Sequence, residues 1–201
     1  MFYNILDKKR IELLPFLKGF KKDFYLAGGT GLAFQIGHRD SVDFDFFTDK
    51  EVDIDKLLIR LKKTFPKLSV IEKDEYTLII LKDNIKISFF YYPYKLLKKP
   101  INEENINIAS IEDIACMKLS AILGRSSNKD YIDLYFILQR TTLPELLDLC
   151  KKKFPEIDRN LILRSLVYFK KMQEEKIRFR NDNYVDFEEV KDFIKEQVND
   201  L

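Results

Sequence analysis

The sequence is poor in the residues that usually hold zinc. It has a single histidine, His38, and two cysteines, Cys116 and Cys150, that stand far apart. Neither cysteine belongs to a Cys-x-x-Cys motif or has a histidine beside it, so a zinc site of the Cys/His kind is not expected. Two isolated thiols suit a reducing compartment, in which they stay free.

Long apolar runs are missing as well. No stretch reaches the length that an α-helix needs to cross a bilayer. The first residues, 1–15, carry several charges, and no uncharged apolar run follows them, so they do not have the pattern of a signal peptide. The sequence therefore predicts a cytoplasmic protein with no membrane partner.

The sequence also lacks a marked excess of positive or negative charge. The 35 lysines and arginines nearly balance the 33 aspartates and glutamates, for a net charge of +2. This balance argues against a polycationic nucleic-acid binder and leaves room only for local basic patches. Hydrophobic residues make up 46% of the chain, which is enough for a well-buried core.

The first half of the chain alternates between helical and strand patterns. Its first helix is expected to end or kink at Pro15. Thr30 is expected to cap a short helix after two glycines, and Asp83-Asn84 is the expected turn of a hairpin. The predicted helices are 4–14, 31–37 and 53–64, and the predicted strands are 24–27, 42–47, 68–72, 76–82 and 85–92.

From Ser110 onward only helical patterns occur. Ser110 and Asp113 form a variant of the capping box, with aspartate in place of glutamate. This change of pattern predicts an α+β protein with an α/β domain at 1–107 and a helical bundle at 108–201. The predicted helices of the bundle are 111–124, 129–140, 143–153, 158–177 and 186–199.

Gly28, Gly29 and Thr30 stand at the predicted turn from a strand to a helix. Two glycines let the backbone come close to a ligand and adopt positive φ. The amides of such a turn can bind an anion, and the Thr30 hydroxyl can donate to a phosphate oxygen. A purely structural turn fits the same residues, so this motif alone leaves both interpretations open.

Asp43 and Asp45 follow on the predicted strand. Alternation puts both carboxylates on one face, about 7 Å apart at the backbone. Mg²⁺ typically binds one or two carboxylates together with water and substrate phosphates. A solvated strand face also fits this pattern, but its combination with an anion-binding turn predicts a site for a nucleoside triphosphate and its metal.

These residues resemble a motif of the AbiEii/AbiGii abortive-infection toxin family of nucleotidyltransferases. The family motif has Gly-Gly-Thr, a spacer, Arg-Ser or Arg-Thr, and then Asp-x-Asp. Here Asp40 stands between Arg39 and Ser41, which is a small departure.

A second block resembles the same family. It has Lys-x-x-Ala-x-x-x-Arg at 118–125, followed by Lys-Asp-x-x-Asp-Leu at 129–134. The resemblance spans residues 24–140 in two blocks, and the residues after it carry no recognised motif.

The resemblance implies a nucleotidyltransferase-like mixed β-sheet flanked by helices and followed by a helical bundle. It also implies a set of site residues and a divalent metal, Mg²⁺ or Mn²⁺. Those implied to bind the nucleotide are Gly28, Gly29, Thr30, Arg39, Lys118, Arg125 and Asp133. Those implied to act in catalysis are Asp43, Asp45, Lys118 and Asp130, with the metal on Asp43 and Asp45.

Each of these charged residues also has a structural interpretation that the sequence leaves open. The alternatives are surface charges at Lys118 and Arg125, helix-terminal charges at Asp130 and Asp133, an ion pair of Arg39 with Asp43 or Asp45, and a helix-end role for His38.

One feature of the superfamily is missing. Its members usually carry a third carboxylate on a later strand, and Ser88 holds the corresponding position here. Three alternatives remain open: a one-metal mechanism, replacement by a residue of the second block such as Asp130, or a site that binds nucleotide without turnover.

The expected activity is transfer of a nucleotide from a nucleoside triphosphate to an RNA, such as a tRNA end, or to a protein. A toxin role implies a cognate antitoxin. The rival interpretations are a non-catalytic nucleotide- or RNA-binding module and a scaffold that keeps the fold. Basic residues that fit either RNA contacts or solvated helix faces are Lys151, Lys152, Lys153, Arg159, Arg164, Lys170, Lys171, Arg178 and Arg180.

Overall fold

The computed structural model describes residues 1–125, 127–170, 172–180 and 182–201. Seven strands within these residues form one sheet. They are β1 Tyr25–Leu26, β2 Phe44–Thr48, β3 Ser69–Lys73, β4 Thr77–Lys82, β5 Ile85–Tyr91, β6 Ile101–Asn102 and β7 Asn107–Ile108. Their order across the sheet is β3-β4-β5-β2-β1-β7-β6.

The sheet is mixed, as the family resemblance implied. β2 pairs in parallel with β5, and β1 pairs in parallel with β7, whereas the remaining neighbours are antiparallel. The predicted hairpin turn between β4 and β5 is confirmed. Asp83 and Asn84 both have positive φ, 50° and 63°, as the two central residues of a type I′ turn require.

Eight α-helices lie in the described residues and follow most of the predicted positions, and two short 3-10 helices, Tyr3–Ile5 and Lys18–Phe20, flank the first of them. Asp53 and Ser110 cap α3 and α4 through side-chain oxygens that accept from the amides of Lys56 and Asp113. The helices are α1 Lys8–Leu17, α2 Gly28–Ile36, α3 Ile54–Thr64, α4 Ile111–Gly124, α5 Asn128–Leu138, α6 Leu143–Lys153, α7 Arg159–Leu166 and α8 Phe187–Asn199.

Three local predictions in these helices are wrong. The helix predicted at 4–14 does not end there, since α1 continues through Pro15 to Leu17. The burial of Leu14 and Leu17 offsets the one helical bond that proline cannot make. α2 begins at Gly28, so Thr30 lies in its first turn and does not cap it.

The third wrong prediction is the long helix at 158–177. α7 ends at Leu166, and the residues after it form hydrogen bonds to distant parts of the chain instead. The amide of Asn128 donates to the carbonyl of Gln173, and that of Arg180 donates to the carbonyl of His38. Lys171, within the predicted helix, lies outside the described residues.

The core has two buried clusters. One joins α1 and α3 to the inner strands of the sheet, with Leu61, Leu78 and Phe89 among its members. The other fills the C-terminal helices and also contains Leu32 and Ile36 of α2. α2 therefore lies between the sheet and the helical half, and the division at 107/108 stays a prediction. In the described parts of the chain, no helix has the length and apolarity to cross a membrane.

Candidate active site

The two glycines at the start of α2 lie directly against charged side chains. Gly28 has φ +61°, and a Cβ on it would lie 3.1 Å from Oδ2 of Asp45. A Cβ on Gly29 would lie 2.5 Å from Nη2 of Arg39. Both positions need glycine because a side chain would displace a carboxylate or a guanidinium.

The first turn of α2 presents free backbone amides at the same place. The N-cap residue is Ala27, and no side chain in the described structure caps the helix. The first helical bond runs from the Gly31 amide to the Ala27 carbonyl, so the amides before Gly31 have no partner within the helix. An uncapped N-terminus of this kind favours an anion.

Thr30 is more buried than the sequence suggested. Its side chain is within the protein, 1% exposed. Its hydroxyl lies 2.8 Å from the Ser41 hydroxyl and also bonds to the carbonyl of Asp43. Thr30 thus ties α2 to the residues that lead into β2, and its role as a phosphate donor stays a prediction.

Asp43 and Asp45 lie on one face at the start of β2, while Phe44 and Phe46 point into the core. Asp43 pairs with Lys86, Oδ2 to Nζ 3.1 Å. Burial raises the pKa of Asp45, the Ser88 hydroxyl and the Lys86 charge oppose that rise, and the Asp43 charge adds to it.

Ser88 stands directly opposite Asp45 in the parallel pair of β2 and β5. It is buried, and its Oγ has no hydrogen-bond partner of good geometry among the described residues. The hydroxyl is still close enough to favour the charged form of Asp45.

Asp133 is the centre of a buried ionic network. It is fully buried and accepts hydrogen bonds from His38 Nε2 at 2.7 Å and from Arg39 Nε and Nη2 at 2.7 Å each. Lys118 Nζ lies 2.6 Å from Oδ2 of Asp133, the oxygen that also accepts from Arg39 Nη2. Burial alone would raise the pKa of Asp133, but the charges of Arg39 and Lys118 hold it well below its usual range.

Lys118 joins Asp133 to Asp130. Its Nζ lies 2.7 Å from Oδ1 of Asp130, and the lysine is only 6% exposed. The second oxygen of Asp130 is buried with no hydrogen-bond partner in the described structure. A lysine has three donors, so one N–H of Lys118 remains for a further acceptor.

The structure decides between the alternatives for Arg39 and His38. Arg39 pairs with Asp133 and not with Asp43 or Asp45. His38 does follow the end of α2, but its ring belongs to the buried network, which the sequence did not predict. Burial lowers the pKa of His38, and its bond to Asp133 opposes this only in part.

The two predicted blocks lie close together. Arg39 joins Gly29 of the first block to Asp133 of the second, and the charge of Lys118 lowers the pKa of Asp45 against the effect of burial. Arg125, by contrast, is exposed at the end of α4 and acts electrostatically on Glu175.

Residues 173–180, here called the strap, hold both blocks from outside. Glu175 accepts from Ser127 Oγ at 3.0 Å and from Lys129 Nζ at 2.6 Å, at the start of α5. At the other end, Asp40 forms ion pairs with Arg178, at 3.4 Å, and Arg180. No sequence motif pointed to these contacts, because their partners lie 46 to 140 residues apart.

Lys153 fits neither of the two interpretations that the sequence left open for it, an RNA contact or a solvated helix face. Lys153 is buried, with its Nζ 2.7 Å from Asp113 and 2.9 Å from the carbonyl of Lys95. Asp113 neutralises its charge inside the protein, and the hydrogen bond to the Lys95 carbonyl links a loop of the first half to α6. Lys171, another of these basic residues, lies outside the described residues.

A comparison with models of protein families identifies the family of this chain. The model of the nucleotidyl transferase AbiEii toxin of type IV toxin–antitoxin systems matches residues 16–199. The chain belongs to this AbiEii family. The match confirms the family resemblance and extends it over the C-terminal half, where the sequence offered no recognised motif.

The chain is also similar to individual proteins. An uncharacterised protein of Aquifex aeolicus strain VF5 is 44% identical over 189 residues, which is 90% of this chain and 89% of that protein. Among solved structures, a nucleotidyltransferase from H. pylori described as putative has a TM-score of 0.58 at 19% identity, covering 96% of this chain and 95% of its own.

A second solved structure is MenT4, a nucleotidyltransferase toxin of Mycobacterium tuberculosis H37Rv. Its TM-score is 0.62 at 15% identity, covering 96% of this chain and 82% of MenT4. These likenesses confirm the predicted fold class, an α+β nucleotidyltransferase-like sheet followed by helices. The AbiEii-family protein is thus a member of a nucleotidyltransferase toxin family.

Proposed function

We propose that this AbiEii-family protein is a toxin that transfers a nucleotide from a nucleoside triphosphate to a hydroxyl of an RNA, such as a tRNA end, or of a protein. The observation that carries the proposal is the contact of Gly28 with Asp45. It joins an uncapped helix N-terminus, which favours phosphate, to a carboxylate pair that can hold a cation.

Asp43 and Asp45 fit one hard divalent cation, Mg²⁺ or Mn²⁺. Burial raises the pKa of Asp45, and a nearby divalent charge would offset that cost. Among the described residues no group of three or more His, Cys, Asp or Glu forms a metal site, so water and substrate phosphates would complete the coordination. When bound, the metal would act as a Lewis acid on the phosphoryl oxygens.

The amides of Gly28, Gly29 and Thr30 would hold the phosphates at the start of α2. The remaining N–H of Lys118 would donate to a phosphoryl oxygen whose charge grows during the reaction. Asp133 and Arg39 would hold Lys118 and Gly29 in place.

The reaction would be an in-line displacement at the α-phosphorus. The acceptor oxygen forms a bond to that phosphorus, the bond to the bridging oxygen breaks, and pyrophosphate leaves. The second oxygen of Asp130 is buried and unpartnered among the described residues. Once binding of the acceptor has uncovered it, this oxygen would accept the proton of the acceptor hydroxyl. Asp130 would then take the role of the superfamily's third carboxylate, because Ser88 occupies the strand position at which that carboxylate usually stands.

Transfer can be tested with each labelled nucleoside triphosphate, Mg²⁺ and total tRNA, with label followed in both RNA and protein. Asp43→Asn and Asp45→Asn should each lower the rate more than about 100-fold, since even groups that only support metal ligands contribute 10–100-fold. Asp148→Asn, at a carboxylate 75% exposed on α6, is the matched control. Full activity in both active-site variants would exclude the metal assignment.

A non-catalytic nucleotide-binding module is the second candidate, and Ser88 opposite Asp45 favours it. This function predicts calorimetric binding of a nucleoside triphosphate with no label transferred to RNA or protein. As a toxin, the protein would act in the cytoplasm and bind a cognate antitoxin.

A further inference from the structure

We propose that Arg178 and Arg180 of the strap bind phosphate groups at the entrance of the active site. The ligand chemistry is a row of phosphoryl oxygens, from the triphosphate of the nucleotide or from the backbone of an RNA acceptor. The assignment of this ligand as a substrate rests on the proposed function, whereas phosphate binding can be measured without turnover.

The charge of the buried network supports the proposal. Arg39 and Lys118 carry two positive charges, and both donate to Asp133 or Asp130, which carry two negative charges. His38 adds none when neutral, as its lowered pKa favours. The positive and negative charges of this buried network thus cancel. Cations outside the network are therefore needed to offset the charge of a bound triphosphate.

The strap supplies such cations. Arg178 and Arg180 both pair with one carboxylate, that of Asp40. These three side chains together therefore carry a net charge of +1. The Arg178 side chain is 82% exposed, whereas that of Asp40 is only 16% exposed. An incoming anion therefore meets a guanidinium before it meets the carboxylate.

The backbone holds these arginines beside the glycine turn. The Asp40 amide donates to the Arg178 carbonyl at 2.8 Å, and the Arg180 amide donates to the His38 carbonyl at 3.0 Å. Asp40 itself stands between Arg39 and Ser41, both of which contact the position of a Cβ on Gly29. The strap thus reaches the loop that borders the uncapped start of α2.

One exposed aromatic ring, that of Tyr184, lies close to the strap. Tyr184 is 75% exposed, and its ring lies edge-on to Phe179 with centroids 5.5 Å apart. Phe179 follows Arg178 in the sequence, but its ring is half-buried and packs against the core of the C-terminal helices. An exposed aromatic ring near arginines suits a base of a single-stranded nucleic acid, so Tyr184 can contact an RNA acceptor.

The test uses the full chain in EDTA with two ligands, inorganic tripolyphosphate and a short single-stranded RNA. Arg178→Gln and Arg180→Gln should each weaken binding about two- to fivefold, as expected for one partly exposed ionic contact. Arg178→Lys should keep most of the affinity because it keeps the charge. Arg140→Gln, at the exposed far end of α5, is the matched control.

Loss of tripolyphosphate affinity would assign the arginines to the nucleotide. Loss of RNA affinity, with a salt slope smaller by about 0.7 per arginine, would assign them to the acceptor. The proposal is overturned if the wild-type chain binds neither ligand, if neither glutamine variant weakens binding, or if Arg140→Gln has the same effect. A failure to transfer nucleotide in Mg²⁺ would reject the proposed function and leave this binding result standing.

Discussion

His38 shows how strongly a buried network constrains a single residue. It is the only histidine of the chain, it is 1% exposed, and it bonds to Asp133. Its Nδ1 has no partner in the described structure. Protonation would add a charge to a network in which Arg39 and Lys118 already balance two carboxylates, so the neutral ring suits this position.

This environment predicts a pH dependence of stability. Burial lowers the pKa of His38 in the folded state, so the unfolded chain binds the proton more readily. Stability is then fully present above the unfolded pKa of about 6.5 and decreases as the pH falls below it, by at most about 1.4 kcal/mol per pH unit. Urea unfolding at several pH values between about 5.5 and 7.5, compared with His38→Gln, measures this difference.

In the His38→Gln variant the pH dependence of unfolding should be flatter, since the glutamine can still donate to Asp133 but does not titrate. Identical pH profiles in the two proteins would contradict the pKa direction. Because the chain has one histidine, no other imidazole can obscure the comparison.

Asp133 gives a second prediction at this scale. Asp133→Ala leaves Arg39 and Lys118 buried with fewer counter-charges, and we expect it to lower the free energy of unfolding by about 3–5 kcal/mol. Asp148→Ala, at an exposed carboxylate of α6, should change it by less than about 0.5 kcal/mol. Urea denaturation measures both, and a similar small effect at the two positions would mean that Asp133 does not hold the network together.

Among the elements, the strap differs most from its predicted structure. Amphipathic spacing predicted one helix over 158–177, yet α7 ends at Leu166. Hydrogen bonds from the strap to α5 and to the loop 38–40 replace the helical ones. Local periodicity contains no information on those partners, because they lie on elements far away in the chain.

Asp40 links the strap to the loop 38–40 of the candidate active site, and its removal should loosen that link. Asp40→Asn should speed hydrogen exchange of the Asp40 and Arg180 amides roughly two- to fivefold, because partly exposed ion pairs contribute modestly. Asp148→Asn, which affects an exposed pair with Arg159, should leave them unchanged. Equal exchange in Asp40→Asn and the wild type would show that the backbone bonds alone hold the strap.

At the scale of the whole molecule, the buried clusters do not follow the change of pattern in the sequence. Leu32 and Ile36 of α2 belong to the cluster of the C-terminal helices. The buried pair of Lys153 and Asp113 further ties the loop at Lys95 to α6. The two halves thus share interior surface as well as the candidate active site.

Shared burial predicts one cooperative unfolding transition. Far-UV circular dichroism and tyrosine fluorescence should give the same urea midpoint for the full chain. A fragment of residues 1–107 should not unfold cooperatively, since it would expose Leu32 and Ile36. Two separate transitions, or a stably folded fragment, would contradict this and favour independent domains.

The sequence by itself determined most of the helices and the five predicted strands, but not β6, β7 or the end of α7. It also determined which residue types share a face in β2. Alternation at 43–46 put two carboxylates on one face and two phenylalanines on the other, and Asp83-Asn84 specified its turn through local backbone preferences. These features depend on near neighbours, so spacing and residue type suffice to predict them.

Only the tertiary structure decided the partners of the charges. Arg39 and Asp133 are 94 residues apart, and whether Arg39 bonds to Asp133 or to Asp43 depends on how α2, α4 and α5 pack. The strap and His38 obtained their roles in the same way. Buried ions need counter-charges at short range, and that range is a property of the folded chain, which spacing along the sequence does not specify.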